Sequence, residues 1–329
     1  MHGIQFVYTF ETTRPATLPV RSAHPGGFSY FMQYRKLPLP IPDQIQLLQS
    51  RGLVIHDTVK AAHYLSVISY YRLRAYTYPF QNNSDPNHPF RVGVTFDQIL
   101  DLYIFDRELR LLVLDAIERI EIALRTQIIY QMSLINGSHW HENISLFRNK
   151  GHFNRDTKKL QRELKRTSEV FIGHYYNKYS KPKHPPSWMS LEVVSLGFLS
   201  KMYENLKLSK EKKHVAHHFG IPHPFLLESW MHAFTNVRNI CAHHSRLWNR
   251  KLTVIPKLPK NIKYTWLKGN IVSIHKPYVV FSCILYMMDR ISPGHTWRDR
   301  FYALLKKYPD ISTSEMGFPA NWKKEALWQ

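Results

Sequence analysis

The sequence has few of the residues and patterns that mark secreted or membrane-spanning proteins. Its two cysteines, Cys241 and Cys283, cannot build a disulfide framework, so we expect a protein of the reducing cytoplasm. The chain does not open with the charged and apolar regions of a secretory signal, which argues against secretion. The longest apolar run, residues 278–288, is too short to span a bilayer, which takes about 20 residues.

Acidic residues are also scarce. Only 24 Asp and Glu stand against 45 Lys and Arg, which gives a formal net charge of +21 at pH 7. The chain has 329 residues and is 44% hydrophobic, enough for a folded core in one large domain or two modest ones. Charge of this size on a folded protein favours a polyanionic partner, either nucleic acid or an anionic membrane surface.

Alternation with a period of two is missing, so we predict an all-α fold. Apolar residues recur every three or four positions from Ile99 to Ile128, which predicts an amphipathic helix of about 35 residues that ends at Asn136-Gly137. Asp57 is predicted to cap a helix that continues to Tyr76. Further helical patterns lie near residues 43–51, 150–181, 188–206, 210–219, 224–250, 268–291 and 297–307.

Composition divides the chain into four segments. Residues 1–31 mix Thr, Pro, Gly and scattered aromatics without a period, which predicts a disordered extension, unless translation begins at Met32. Residues 32–95 are predicted to form an N-terminal helical region and residues 96–292 the main helical domain. Residues 293–329 form an irregular, tryptophan-bearing tail that we expect to pack on the core.

The most informative stretch is residues 238–250. On a continuous helix, its polar residues would share an arc of roughly 140°, opposite Ile240, Cys241, His244, Leu247 and Trp248. The polar arc contains no acid, whereas solvated helix faces usually carry charges of both signs. Its members suggest phosphate binding and are Arg238, Asn239, Ala242, His243, Arg246, Asn249 and Arg250.

These residues resemble a known family. Arg238 and His243 have the Arg-x4–6-His spacing of the HEPN superfamily of RNases, and residues 243–250 are similar to the version found in the Abi-like (AbiD/AbiF) abortive-infection proteins of bacteria. Several other stretches resemble the same family in the same order along the chain. They are residues 44–53, 70–73, 78–80, 103–110, 118–121 and 316–319, with Trp322.

The resemblance implies a HEPN-type helical bundle and an RNA-cutting activity that needs no metal or other cofactor. It also implies a role in phage defence, and a structured non-coding RNA as a partner besides the substrate. Metal-free cleavage uses the RNA 2′-hydroxyl as nucleophile, with an acid, a base and cations for the phosphate. His243 is then the acid or base, Arg238 holds the phosphoryl oxygens, and Asn239 orients the His243 ring or a phosphate oxygen.

One chain supplies a single histidine in the matching motif. We therefore expect a homodimer in which a second copy provides the other proton-transfer group. Arg246 and Arg250 are predicted to bind flanking phosphates. His244 lies on the apolar side of the predicted helix, so packing or a local hydrogen bond is favoured over catalysis.

Other candidates each have a structural alternative. Glu118 and Glu121 could place a carboxylate near Arg238 or His243, or simply form i,i+4 pairs, as Glu121 would with Arg125. Asp106, Arg107 and Arg110 are typical of structural salt bridges. Five cations of the basic segment are predicted to contact the RNA backbone, although such a helix is often only solvated. They are Lys158, Lys159, Arg162, Lys165 and Arg166.

Two further patterns remain open. Aromatics alternate with arginines from Tyr70 to Tyr76 and could stack on bases, but aromatics at helical spacing are more often core. His214, His217 and His218 lack a suitable third ligand, so we predict no metal site. The main rival to an enzyme is an RNA-binding protein that does not cleave; a protein that binds DNA or a membrane surface is the least favoured.

Overall fold

Helices make up the regular structure of this protein, for which a computed structural model describes residues 37–269 and 271–329. The predicted all-α class is confirmed, since no β-strand occurs within those residues and β-structure there is limited to isolated bridges. The interpretation of residues 1–31 as a disordered extension or an early start concerns a segment outside the described residues. None of the described helices combines the length and hydropathy needed to cross a membrane.

The described residues contain twelve α-helices, linked by turns and short 3-10 segments. In chain order they are α1 (Ile41–Ser50), α2 (Thr58–Ile68), α3 (Tyr70–Thr77), α4 (Phe96–Asn136), α5 (Lys150–Arg166), α6 (Val170–Lys178), α7 (Ser187–Ser190), α8 (Leu196–Asn205), α9 (Lys210–His218), α10 (Pro224–Ala242), α11 (Pro277–Ile291) and α12 (Trp297–Lys307).

The described residues divide into two compact units, the first ending at Phe105 and the second beginning at Asp106. In the first unit, Asp57 caps α2 by accepting a hydrogen bond from the Lys60 backbone N–H at 2.8 Å, as predicted. The predicted single helix through Tyr76 is wrong, because Ser69 interrupts it with a φ of 72° and caps α3. Tyr70, Leu73 and Tyr76 are buried, so this stretch serves mainly as core.

Helix α4 is 41 residues long, somewhat longer than its predicted length of about 35. It ends where predicted, at Asn136, because Gly137 follows with a φ of 78° that other residues adopt only at a cost. The apolar residues that recur along it, among them Leu109, Ile120 and Leu124, are fully buried. The amphipathic pattern therefore predicted both the helix and its buried face.

The second unit is built around α10, which packs against α8, α9 and α11. Trp230, Phe234 and Val237 are fully buried along α10, at the three- and four-residue spacing of one helix face. Two predicted helices have different bounds here. The pattern at residues 188–206 is divided between α7 and α8, and α11 begins at Pro277 rather than near residue 268.

A buried lysine ties three of these helices together. The Lys212 ammonium is almost fully buried, lies 2.6 Å from Glu228 Oε1, and donates hydrogen bonds to the carbonyl oxygens of Glu204 and Leu206. Burial lowers the pKa of Lys212, while Glu228 opposes that effect. Because all three donors of the ammonium have partners, the charge is compensated inside the fold.

The residues after α12 form an aromatic cluster with α11 and α12. Phe318, Trp322 and Trp328 are buried, and the rings of Phe318 and Trp328 lie 5.6 and 5.5 Å from the ring of Phe301. The Trp297 indole N–H donates to the Leu112 carbonyl oxygen at 2.9 Å, which connects α12 to α4. The tail is thus part of the core of the second unit.

Candidate active site

Helix α10 ends within the stretch that carries the Arg-His motif. The last helical residue is Ala242, and His243 is the C-cap, its backbone N–H bonded to the Asn239 carbonyl oxygen at 2.9 Å. The next two N–H groups fold back in a Schellman motif: His244 donates to Cys241 and Ser245 to Ile240, each at 3.0 Å. The predicted continuous helix to Arg250 is therefore wrong.

The carboxylate of Asp106 explains why the chain turns away from the helix here. Asp106 is fully buried at the start of the second unit, and its Oδ1 accepts hydrogen bonds from the backbone N–H groups of Leu247 and Trp248 at 3.0 and 2.6 Å. The buried Arg110 guanidinium forms an ion pair with the same carboxylate. The predicted salt-bridging role of Asp106 and Arg110 is confirmed, and the link to residues 247 and 248 was not predicted.

Three predicted catalytic residues lie together at the end of α10. Arg238 and Asn239 are exposed on its last turn, and His243 is exposed at its C-cap. Among the described residues, none of the three side chains forms a hydrogen bond or ion pair. The neighbouring Cys241 is buried, which raises the pKa of its thiol to about 12 and leaves it unreactive.

The comparison with protein families covers this site. The Abi-like protein family model matches residues 63–249, which is more than half of the 329-residue chain and includes the whole Arg-His motif. The chain belongs to the Abi-like family. No curated protein and no solved structure matches it.

His244 of this Abi-like chain is placed differently from its prediction. It was expected to pack, or to form a local hydrogen bond, on the apolar side of a helix, but its side chain is exposed. Its backbone occupies the left-handed region at a φ of 56°, because it fills the position of the Schellman motif where glycine is usual. The helical wheel fails here since it assumes helical geometry beyond Ala242.

The two other arginines of the motif are half-buried. Arg250 Nη1 donates to the Arg246 carbonyl oxygen at 3.3 Å, so its guanidinium supports the turn. Asn249 lies between them in the sequence. Its side-chain amide nitrogen donates to Glu315 Oε2 at 3.4 Å, and its backbone carbonyl oxygen accepts a hydrogen bond from the Lys276 ammonium at 3.1 Å. The residues of the predicted polar arc are therefore divided between the last turn of α10 and a folded loop joined to the C-terminal tail, and do not form one helix face.

One of the two candidate carboxylates of α4 forms the i,i+4 ion pair that was the alternative to a place in the site. Glu121 forms an i,i+4 ion pair with Arg125 at 2.8 Å, and Arg125 also donates to the Val194 carbonyl oxygen at 2.8 Å. Glu118 is exposed and makes no ion pair within the described residues. Neither carboxylate forms an ion pair with Arg238 or His243 among the described residues.

Helix α5 displays the predicted basic surface of the Abi-like chain. Its five cations lie within an arc of about 120°, opposite the buried Phe153, Leu160 and Leu164. All five are exposed, and Arg166 pairs with Glu163 at 2.6 Å. The other four form no ion pair with any described residue and are Lys158, Lys159, Arg162 and Lys165.

His214, His217 and His218 were not expected to form a metal site. Within the described residues, no group of three or more His, Cys, Asp or Glu side chains is arranged to hold a metal ion. His217 Nε2 instead lies 3.1 Å from the Pro222 carbonyl oxygen, a contact that braces the turn between α9 and α10.

Proposed function

We propose that this Abi-like protein is a metal-independent HEPN-type endoribonuclease of bacterial abortive-infection defence. The observation that carries the proposal is the exposure of Arg238, Asn239 and His243 together at the end of one helix. A permanently charged guanidinium and an imidazole at such a place suit a reaction on a phosphodiester. The net charge of +21 supports a polyanionic substrate.

The reaction we propose needs no group beyond the RNA and these side chains. The 2′-hydroxyl oxygen attacks the adjacent phosphorus and loses its proton to a base, while the bond to the 5′-oxygen breaks and that oxygen takes a proton from an acid. The products are a 2′,3′-cyclic phosphate and a 5′-hydroxyl. His243 transfers one of the two protons, and Arg238 neutralises the charge that develops on the phosphoryl oxygens.

Asn239 and the remaining arginines have supporting roles in this proposal. Asn239 precedes His243 by one helical turn, so its amide is placed to orient the imidazole or a phosphate oxygen once RNA is bound. Arg246 and Arg250 lie on the loop that follows and would contact flanking phosphates. Because Asp106 holds this loop, the separation between the catalytic turn and these arginines does not depend on the RNA.

A homodimer would supply the second proton-transfer group. Each chain offers one histidine at the C-cap of α10, His243, while the neighbouring exposed His244 belongs to the turn beyond the helix, and an acid-base pair needs two groups. Two copies with apposed His243 side chains would complete one composite site, which is why we propose dimerisation as part of the function.

Cleavage by purified protein tests the enzyme directly. We expect the wild type to cut single-stranded RNA in EDTA as well as without it, leaving 2′,3′-cyclic phosphate ends. His243→Ala and Arg238→Ala should each lower the cleavage rate by at least about 100-fold, the usual contribution of an acid-base group or a charge-stabilising donor. RNA in which a 2′-deoxynucleotide replaces the scissile residue should not be cut there.

A matched histidine on the same helix provides the control. His232 is exposed on α10, eleven residues before His243 and on nearly the same face, so His232→Ala should cleave like the wild type. The enzyme proposal fails if the wild type cuts no RNA, or if His232→Ala and His243→Ala lose activity equally.

A second function deserves a test because of the cation row on α5. Four exposed cations without acidic partners among the described residues could hold a structured non-coding RNA without cutting it. RNA that co-purifies with the protein should be sequenced. One abundant small RNA would indicate a bound regulatory partner, whereas a diverse population would indicate substrate binding alone.

A further inference from the structure

Three tyrosines form a rigid aromatic group at the end of α6. Tyr175 is buried, and its hydroxyl donates to the Pro182 carbonyl oxygen at 2.8 Å. The rings of Tyr176 and Tyr179 pack on it with centroid distances of 5.8 and 5.2 Å. Both outer rings remain exposed, by 42% and 47%. A buried ring thus supports two exposed rings that are held in place.

A histidine joins this group to the cations of α5. His184 Nδ1 lies 3.4 Å from the Tyr176 hydroxyl, and His184 Nε2 lies 3.3 Å from the Gln161 amide nitrogen. Gln161 is on α5, one helical turn from both Lys158 and Lys165. A neutral ring protonated at Nδ1 satisfies both contacts, because its Nδ1–H donates to the tyrosine oxygen while Nε2 accepts from the amide.

The charged groups that act on His184 include two lysines and one glutamate. Burial is the main cause of the lowered pKa of His184, Glu142 opposes it, and the charges of Lys183 and Lys165 lower it further. Lys165 of α5 and Lys183 of the segment after α6 are therefore within electrostatic reach of the same imidazole. In addition, the Lys178 ammonium lies 5.5 Å from the centre of the Tyr179 ring.

We propose that the exposed rings of Tyr176 and Tyr179, with the neighbouring lysines of α5 and residues 178–183, form a binding surface for unpaired nucleotides of RNA. The rings stack on the bases, and the ammonium groups hold the phosphates on either side. We call this the tyrosine surface. This proposal rests on the proposed function, because it assumes that RNA is the partner. It adds the class of RNA, single-stranded, that this surface binds.

The exposed rings favour single strands over a duplex. In a duplex each base is already stacked between its neighbours, so a protein ring gains no base face to cover, and cations alone carry the contact. The exposed tyrosines would then add nothing to the affinity for a duplex. Stacking is also tolerant of sequence because every base has a flat face, so we expect little preference among single strands.

Binding of fluorescein-labelled RNA to the full chain tests this proposal. The probes are a single strand of about 12 nucleotides of mixed sequence and the same strand annealed to its complement. All proteins carry His243→Ala so that the RNA stays intact. We expect Tyr176→Ala and Tyr179→Ala each to weaken single-strand binding by about tenfold, and to leave duplex binding unchanged.

Two kinds of control define the outcome. Tyr179→Phe keeps the ring and should bind single strands within about twofold of the parent protein. Tyr130→Ala removes a tyrosine of similar exposure from α4, where no lysine or arginine lies within four residues, and should change nothing. Circular dichroism establishes that each variant is folded. Unchanged single-strand binding by both tyrosine-to-alanine variants, or equal losses for single strand and duplex, would overturn the proposal.

The binding and cleavage experiments test the tyrosine surface and the enzyme separately, so either proposal can be refuted while the other stands. If the wild type cuts RNA but the tyrosine variants bind normally, the endoribonuclease stands and the tyrosine surface does not. If the tyrosine variants lose single-strand binding but the wild type cuts nothing, the tyrosine surface stands and the enzyme does not. A parent protein that binds no single-stranded RNA overturns the tyrosine surface outright.

Discussion

His244 occupies a backbone position that costs the protein stability. An L-residue in the left-handed region is less favourable than glycine by about 1–2 kcal/mol, because its Cβ approaches the carbonyl oxygen that follows. At a φ of 56°, His244 carries this cost at the residue next to the proposed catalytic histidine. Strain of this kind is often kept near functional sites, where it places a neighbouring group.

Replacing His244 with glycine should therefore stabilise the fold. We expect His244→Gly to raise the free energy of unfolding by about 1 kcal/mol, measured by urea denaturation. We expect His232→Gly to lower the free energy of unfolding, because glycine is unfavourable inside a helix such as α10. A loss of stability in His244→Gly would mean that contacts of the imidazole outweigh the backbone strain.

Asp106 is the residue on which the geometry of the site most depends. It is a fully buried carboxylate that holds both the Arg110 guanidinium and two backbone N–H groups of the loop after the motif. Asp106→Ala would leave a buried guanidinium without its carboxylate, which costs about 3–5 kcal/mol. We expect a correspondingly large fall in the free energy of unfolding.

The control for Asp106→Ala is an aspartate in an exposed ion pair. Asp97 pairs with Lys60 at 2.5 Å, but both side chains are more than 40% exposed. Solvent screens an exposed pair of this kind, so Asp97→Ala should have a small effect in the same denaturation experiment. Similar losses in the two variants would show that the buried carboxylate has no special role.

At the scale of helices, local signals predicted some boundaries well. Helix α12 begins at Trp297 and ends at Lys307 as its periodicity indicates, and Gly137 ends α4 because glycine adopts positive φ without strain. The end of α10 could not be predicted in this way. Leu247 and Trp248 continue the apolar spacing, while the group that turns them out of the helix, Asp106, lies 141 residues earlier.

The part of the candidate site that depends on local sequence was predictable, and the part that depends on distant contacts was not. Arg238, Asn239 and His243 belong to one turn and its cap, so their spacing in the sequence brings them together in the structure. The position of His244 depends on how the helix ends, which a helical wheel does not show. The tyrosine surface depends on contacts between α5 and the segment after α6, which no local pattern reveals.

The cations of α5 lead to a prediction about salt. Each phosphate contact of a single strand makes the slope of log affinity against log salt concentration more negative by about 0.7, because bound counterions are released. Replacing Lys158, Arg162 and Lys165 with alanine should therefore make that slope less negative by about 2. The measurement is a salt titration of single-stranded RNA binding.

A second set of lysines provides the matched control for this titration. Lys306, Lys323 and Lys324 are exposed in the C-terminal part of the chain, and replacing them with alanine removes the same charge. This triple variant should keep the wild-type slope. Equal changes in both variants would indicate that net charge, and not the α5 row, attracts the RNA.

At the scale of the whole molecule, the proposed acid-base pair requires two copies of the chain. Activity per protein should then fall on dilution, at the concentration where sedimentation velocity shows dimers separating into monomers. A protein that sediments as a monomer while its cleavage rate stays proportional to its concentration would contradict the composite site. The second proton-transfer group would then have to come from within one chain.

Helix α10 is held near its two ends by different partners. Lys212 binds Glu228 near the start, and Asp106 binds the loop just beyond the end, with about 22 Å of helix between Glu228 and His243. Adding one residue between these points would rotate the proposed catalytic turn by about 100° relative to its anchors, whereas most exchanges of exposed side chains would leave it in place. We therefore expect natural relatives to vary the identity of these residues more freely than their number.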